Sequence, residues 1–206
     1  MRWDRFFEDL EDQLAAEWEA ERAALDSEAE RLRVSRLQLR TRMVGFAQAA
    51  AAALAIDLVD GSLLEAAVTS VGADWVAARP ASAPAALAEP SIVLIPLAAI
   101  RAVGAAHGEL LRSARAPAAE SRLAERVTFG FALRDLARRR AGVTIGTAAG
   151  RALSGTIDRV GADHLDLALH DADSPRRAAA VTAFRILPFS AVAWVRVSAT
   201  TGVITP

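Results

Sequence analysis

Trp3, Phe7, Leu10, Leu14, Trp18 and Leu25 step along the chain mostly by three or four, with polar residues between them. That spacing predicts one apolar stripe on an amphipathic helix. Ser27, Glu28, Ala29 and Glu30 fit a capping box, so a second helix starting at Glu28 would make a hairpin. The other reading is one long helix reaching Arg42. Further along, the period shortens to two. Residues 143–145 start a strand, Ala149 and Gly150 supply a tight turn, and residues 153–160 return with Gly155 inside, the mark of a bend or bulge. Residues 164–169 alternate, with Leu165, Leu167 and Leu169 on one face. A loop over 171–177 precedes two more strands, 181–187 and 191–197, broken at Pro188. The prediction is five short antiparallel strands after a helix.

Much of this pattern is written twice. At a constant offset of 89, Ile56 meets Ile145, Gly61 meets Gly150, and Val71-Gly72-Ala73-Asp74 meets Val160-Gly161-Ala162-Asp163. Residues 94–103 answer residues 186–195, where Pro96 meets Pro188 at an offset of 92. Upstream, residues 39–48 answer residues 133–142. Co-linear matches of this extent imply an internal duplication. The expected organisation is a helical arm over 1–31, a helix and first barrel over 32–104, and a linker over 105–120. A helix and second barrel over 121–198 and a tail over 199–206 complete it.

The turn Gly150, the bent run 153–167 and the closing stretch 187–195 resemble the Sm-like fold, the small barrel of Sm proteins and bacterial RNA-chaperone rings. The resemblance covers roughly residues 36–103 and 128–197. It implies an α+β chain, mainly β, with two tandem five-stranded Sm/SH3-like barrels, each preceded by a helix. The whole chain also resembles a family of GC-rich bacteria with two such barrels, a resemblance that implies no activity. In Sm proteins RNA contact uses an Asp and an Asn after the bent strand, and an Arg-Gly pair before the last one. Here Asp74 and Asp163 stand without the Asn, and the second loops, 95–99 and 187–191, lack Arg-Gly. The fold resemblance therefore does not carry RNA reading with it.

Composition narrows the chemistry. Hydrophobic residues make up 53% of the 206, but many are Ala, so core volume must come from Val, Leu, Ile, Phe and four Trp. All 24 basic residues are Arg, the codon habit of a GC-rich genome. The absence of Cys excludes disulfides, thiol catalysis and Cys-based zinc sites. The acidic, amphipathic start is unlike a signal peptide, and the longest charge-free helical stretch, 43–56, is too short for a bilayer. The expected location is the cytoplasm. Net charge is −1, with the excess of bases confined to the C-terminal part.

His164, Asp166 and His170 share a strand face by parity and would suit a metal. The first copy carries Trp75 and Ala77 where His164 and Asp166 lie, which argues against that use. No Ser/His/Asp set is visible, and residues 146–151 lack the Lys and helix of a phosphate loop. The expectation is a non-enzymatic chain without cofactor or metal. Arg138, Arg139, Arg140, Arg151 and Arg159, joined by Arg176 and Arg177, form a candidate phosphate-contacting set, although three Arg closing a helix need no ligand. Trp75 is expected to point out of its barrel and to be covered by the N-terminal helix or by a partner. With Trp3, Phe7, Leu10, Leu14 and Trp18 it makes the candidate interaction set. The functional expectation is a scaffold or interaction protein that self-associates through the arm or the barrel surfaces. The rival is an RNA-binding or transcription-regulatory protein using the basic C-terminal half.

Overall fold

In the computed structural model the described residues are 2–49, 53–81, 91–115, 123–171 and 181–198, with side chains described from residue 13 onward. The side chains of Trp3, Phe7 and Leu10, together with Arg176, Arg177 and the tail 199–206, lie outside them. The chain divides into two compact units, residues 1–38 and residues 39–206.

The first unit is one helix, α1 (Arg2–Ser35). Helix runs through Ser27, so neither sequence reading holds: there is no hairpin at Glu28, and the helix stops short of Arg42. The Ser27 hydroxyl is not needed as a cap because the backbone on both sides continues the helical ladder. Near the C-terminal end Arg33 pairs with Glu30 through two contacts of 2.6 and 2.7 Å. That places a cation in the last turn, where the helix dipole favours it.

The second unit begins with α2 (Leu39–Gln48) and continues through β1 (Leu54–Leu58), β2 (Leu63–Val71), β3 (Trp75–Pro80), β4 (Ser91–Pro96) and β5 (Ile100–Gly104). Next come α3 (His107–Ser113) and α4 (Phe129–Arg138), and then β6 (Gly142–Thr147), β7 (Ala152–Val160), β8 (His164–Leu169), β9 (Ala183–Pro188) and β10 (Val192–Ser198). A short 3-10 turn links β4 to β5 and another links β9 to β10. Helix α3 occupies the expected linker: Arg42 donates to Leu110 O at 2.7 Å and to Ser113 Oγ at 3.1 Å, tying α3 to α2.

The expectation of two closed five-stranded barrels is overturned. The ten strands form one open antiparallel sheet in the order β5-β1-β2-β3-β4-β10-β6-β7-β8-β9. The junction is β4 against β10, registered by Val195 with Leu94, Arg196 with Val93 and Val197 with Ile92. The physical reason is an edge: β4 satisfies its outer backbone groups on a strand of the other half instead of closing on its own. Each half nevertheless shows the same neighbour order, 5-1-2-3-4 and 10-6-7-8-9. Bulges fall at Val68/Ser70 in β2 and at Ile157/Arg159 in β7, where they tighten the local bend.

Two cores hold the sheet. One gathers Met43, Val44 and Phe46 of α2 with Leu54, Ile56, Leu58, Val76, Val93 and Ile95. The other gathers Phe129, Leu133 and Leu136 of α4 with Ile145, Leu165 and Val195, and also takes in Trp75, Ala77 and Leu94. Strand β3 therefore contributes to both: Trp75, Val76, Ala77 and Ala78 are all fully buried. A strand buried on two faces reads as a continuous apolar run, which is how residues 75–78 are written.

Candidate interaction surfaces

The turn between β2 and β3 is a joint. Gly72 N–H donates to Trp75 O at 2.8 Å, closing the turn, while Arg40 Nε donates to Gly72 O at 2.8 Å. The indole of Trp75 folds back over Gly72, where any Cβ would collide with the ring. Its Nε1 donates to Val127 O at 2.9 Å, and Ala73 N–H reaches the same carbonyl at 2.9 Å. Asp74 Oδ1 accepts the N–H of Phe129 at 2.6 Å, satisfying one of the orphan donors that begin α4. Thr128, the residue before the helix, accepts from Phe131 N–H at 3.3 Å. Three residues of the first half, Ala73, Asp74 and Trp75, thus seat the helix of the second. Trp75 is fully buried, and the lead-in to α4 covers it.

The corresponding turn between β7 and β8 keeps the local bonds and lacks the seat. Gly161 N–H donates to His164 O at 2.8 Å, and Arg134 Nη2 donates to Gly161 O at 3.2 Å. The His164 ring again leaves no room for a Cβ on Gly161. Here Asp163 Oδ1 faces His164 Nδ1 at 2.8 Å, and their side chains are 89% and 45% exposed. The hydrogen bond from His164 is the main reason the Asp163 carboxyl sits below its ordinary pKa.

Beside this turn the outer face of β7, β8 and β9 is a groove of about 560 Å³ lined by Asp158, Arg159, Asp166, Phe184, Arg185 and Ile186. Phe184 is 60% exposed and Ile186 71%. At the offset of 92 these positions answer Ile92 and Leu94 of β4. Leu94 is fully buried and Ile92 is packed against the second core. Nothing in the sequence pattern separated these pairs, because all four are apolar residues on bent strands.

The histidines do not converge. His170 is buried, pairing with Thr156 Oγ1 at 2.7 Å and with Asp171 O at 2.9 Å, away from the exposed His164. Strand β8 ends at Leu169, so the alternation that placed all three on one face stops before His170. Among the described residues no group of three His, Asp or Glu is placed to hold a metal.

The Arg set is likewise dispersed. Arg138 and Arg139 both clamp Asp135, each at 2.8 Å, and Asp135 is almost fully buried. Arg140 closes α4 with a left-handed φ of 51°, while Ala141 N–H donates to Leu136 O at 3.1 Å. Arg151 follows the β6–β7 turn, and Arg159 lies among the acids of the groove. On α1, Leu14, Trp18, Leu25 and Leu32 are exposed by 47, 64, 65 and 50%.

A second hollow, about 320 Å³, opens where the halves meet and is lined by residues including Asp60, Ser62, Gly150, Trp194 and Arg196. Asp60 Oδ1 takes the N–H and O–H of Ser62 at 3.0 and 2.6 Å, and Oδ2 takes Trp194 Nε1 at 2.9 Å. The Arg196 guanidinium lies 4.9 Å from the centre of the Trp194 ring.

With this geometry in view, no family model matches the chain, and no curated protein or solved structure matches it either. Among the described residues no helix is long and apolar enough to cross a membrane.

Proposed function

We propose that this chain is a non-enzymatic scaffold that self-associates, with α1 as one of its contact elements. The observation that carries the reading is the exposed apolar stripe of α1, Leu14, Trp18, Leu25 and Leu32, on a helix of divided charge. Residues 1–30 hold 11 acids and 3 bases, whereas Arg31, Arg33 and Arg36 follow with no acid among them. Antiparallel pairing with a second copy sets each acidic half against a basic end and covers the stripe. Arg138 and Arg139 at the end of α4 are paired to Asp135, and Arg159 and Arg185 share their groove with Asp158 and Asp166, an arrangement less suited to phosphate contacts than an unbroken basic surface.

The test is sedimentation of the full chain beside Trp18→Glu and Leu25→Glu. The expected result is a wild-type assembly whose dissociation constant rises at least tenfold in the double variant, with helix content preserved. A wild type that stays monomeric at every concentration overturns the reading. RNA or DNA binding that weakens steeply with salt would replace it with a nucleic-acid function.

A further inference from the structure

Among the described residues the ten-stranded sheet ends at two unpaired edges, β9 on one side and β5 on the other. The joint in its middle shows what each edge is shaped to meet. There β4, the fourth strand of its half, pairs with β10, the fifth strand of the other. The free β9 is a fourth strand, and the free β5 is a fifth. Each end of the sheet therefore carries one side of the joint that the chain has already made once.

The side chains agree. On the β9 side, Phe184 and Ile186 are 60 and 71% exposed, whereas their counterparts Ile92 and Leu94 are partly buried and fully buried. On the β5 side, Ile100 and Val103 are only partly buried, whereas their counterparts Val192 and Val195 are 2% and 0% exposed. Leu39 of α2 is 41% exposed, whereas Leu133, its counterpart on α4, is fully buried. Its neighbour confirms that match: Arg40 donates to the Gly72 carbonyl as Arg134 donates to the Gly161 carbonyl. An exposed edge with apolar side chains is a template for strand pairing.

We infer that copies of this chain join head to tail, β9 of one against β5 of the next. This rests on the self-association reading above and names a second contact, separate from α1. Carrying the register of the β4–β10 joint across sets Ile186 opposite Val103 of the second copy, Arg185 opposite Gly104 and Phe184 opposite Ala105. The contact is heterologous, so it propagates from copy to copy and ends either in a closed ring or in a filament. It is also weaker than the internal joint. The second half has His164 in place of Trp75, whose indole bonds to the lead-in to α4 at the internal joint. The internal joint is permanent, and the external one is reversible.

The chain has no Cys, so introduced thiols report on this contact alone. Full-length Ile186→Cys is mixed with full-length Val103→Cys under mild oxidation, and in parallel Phe184→Cys with Ala105→Cys. Both mixtures are expected to give a disulfide-linked dimer at least tenfold above either variant alone. Arg185→Cys with Val103→Cys, one residue out of register and on opposite faces, is the control and is expected to give none. Introducing Phe184→Arg and Ile186→Arg, both at exposed positions, is expected to remove the largest species in sedimentation while the fold is retained. If neither in-register pair exceeds the control, the head-to-tail contact is wrong. If in addition the wild type still sediments as a dimer that Trp18→Glu and Leu25→Glu dissociate, the α1 reading survives alone. A wild type that is monomeric throughout removes both.

Discussion

The turns at residues 71–75 and 160–164 share their letters and their local geometry, yet one is a joint and the other a surface. Each closes through a Gly N–H, each lends its Gly carbonyl to an Arg from the preceding helix, and each folds a ring over that Gly. The difference begins one residue after the shared Asp. Trp75 offers an indole large enough to fill the second core and an N–H that reaches Val127. His164 offers a smaller ring whose nitrogen turns back to its own neighbour, Asp163. The Asp163 carboxylate, paired with its neighbour His164, is 89% exposed, whereas that of Asp74 caps α4. One position therefore separates a turn that reaches into the other half of the sheet from a turn whose described bonds stay within its own half.

The sharpest way to break this comparison is to remove both rings. Trp75→Ala deletes a fully buried aromatic and leaves Val127 O without its indole donor, so a loss of about 3–5 kcal/mol is expected. His164→Ala removes a half-exposed ring and is expected to stay within about 0.5 kcal/mol. Urea unfolding of the two variants measures both values. Comparable losses at the two positions would mean that Trp75 is not the fastening of the joint.

A smaller effect tests how closely the two halves are built. Residue 155 is Gly where the first half has Ala66, and Ala66 is fully buried at its place. A Cβ on Gly155 would run into the backbone carbonyl of Ala168 on β8, which cannot swing aside as a side chain would. Gly155→Ala is therefore expected to cost about 1–3 kcal/mol through forced separation of β7 and β8. A neutral result, read by the same unfolding curves, would show that the two halves bend alike at this position.

Much of the strand order was legible in the residues. Alternation at Leu165 and Leu167, the turn at Gly150 with its φ of 77° and the break at Pro188 all mark real boundaries. Closure was not legible, because an edge strand and a paired strand are written with the same letters. Leu94 and Ile186 occupy the same place in the two halves, and only their neighbours in space decide which is covered. The candidate surface was missed for the same reason. Residues 181–187 read only as a strand, and Trp75 reads as pointing out of its barrel, because periodicity assigns a face without saying what lies against it. The one available signal was in β3, where four consecutive small or apolar residues announced burial on both faces.

The weakest expected effect concerns the hairpin turns at Asp60 and Ala149, which the offset of 89 places in register. Partial burial alone would raise the Asp60 pKa, but the hydrogen bonds from Ser62 and Trp194 outweigh it and hold the carboxyl below its ordinary value. A group with a lowered folded pKa contributes stability that is present above the unfolded carboxylate range, near pH 4, and lost as pH falls through the folded value. Ala149 has no such group, so this acid-sensitive term belongs to the first half and to its contact with Trp194. Asp60→Asn keeps the size of the side chain but turns a donor toward either Trp194 or Ser62. At neutral pH it is expected to cost about 1 kcal/mol. That difference from wild type should shrink as pH falls below about 4, since the protonated carboxyl loses the same acceptor. Unfolding curves of both proteins between neutral and acid pH measure it. A difference that stays constant across the range would mean that the Trp194 contact holds by packing, without help from the Asp60 charge.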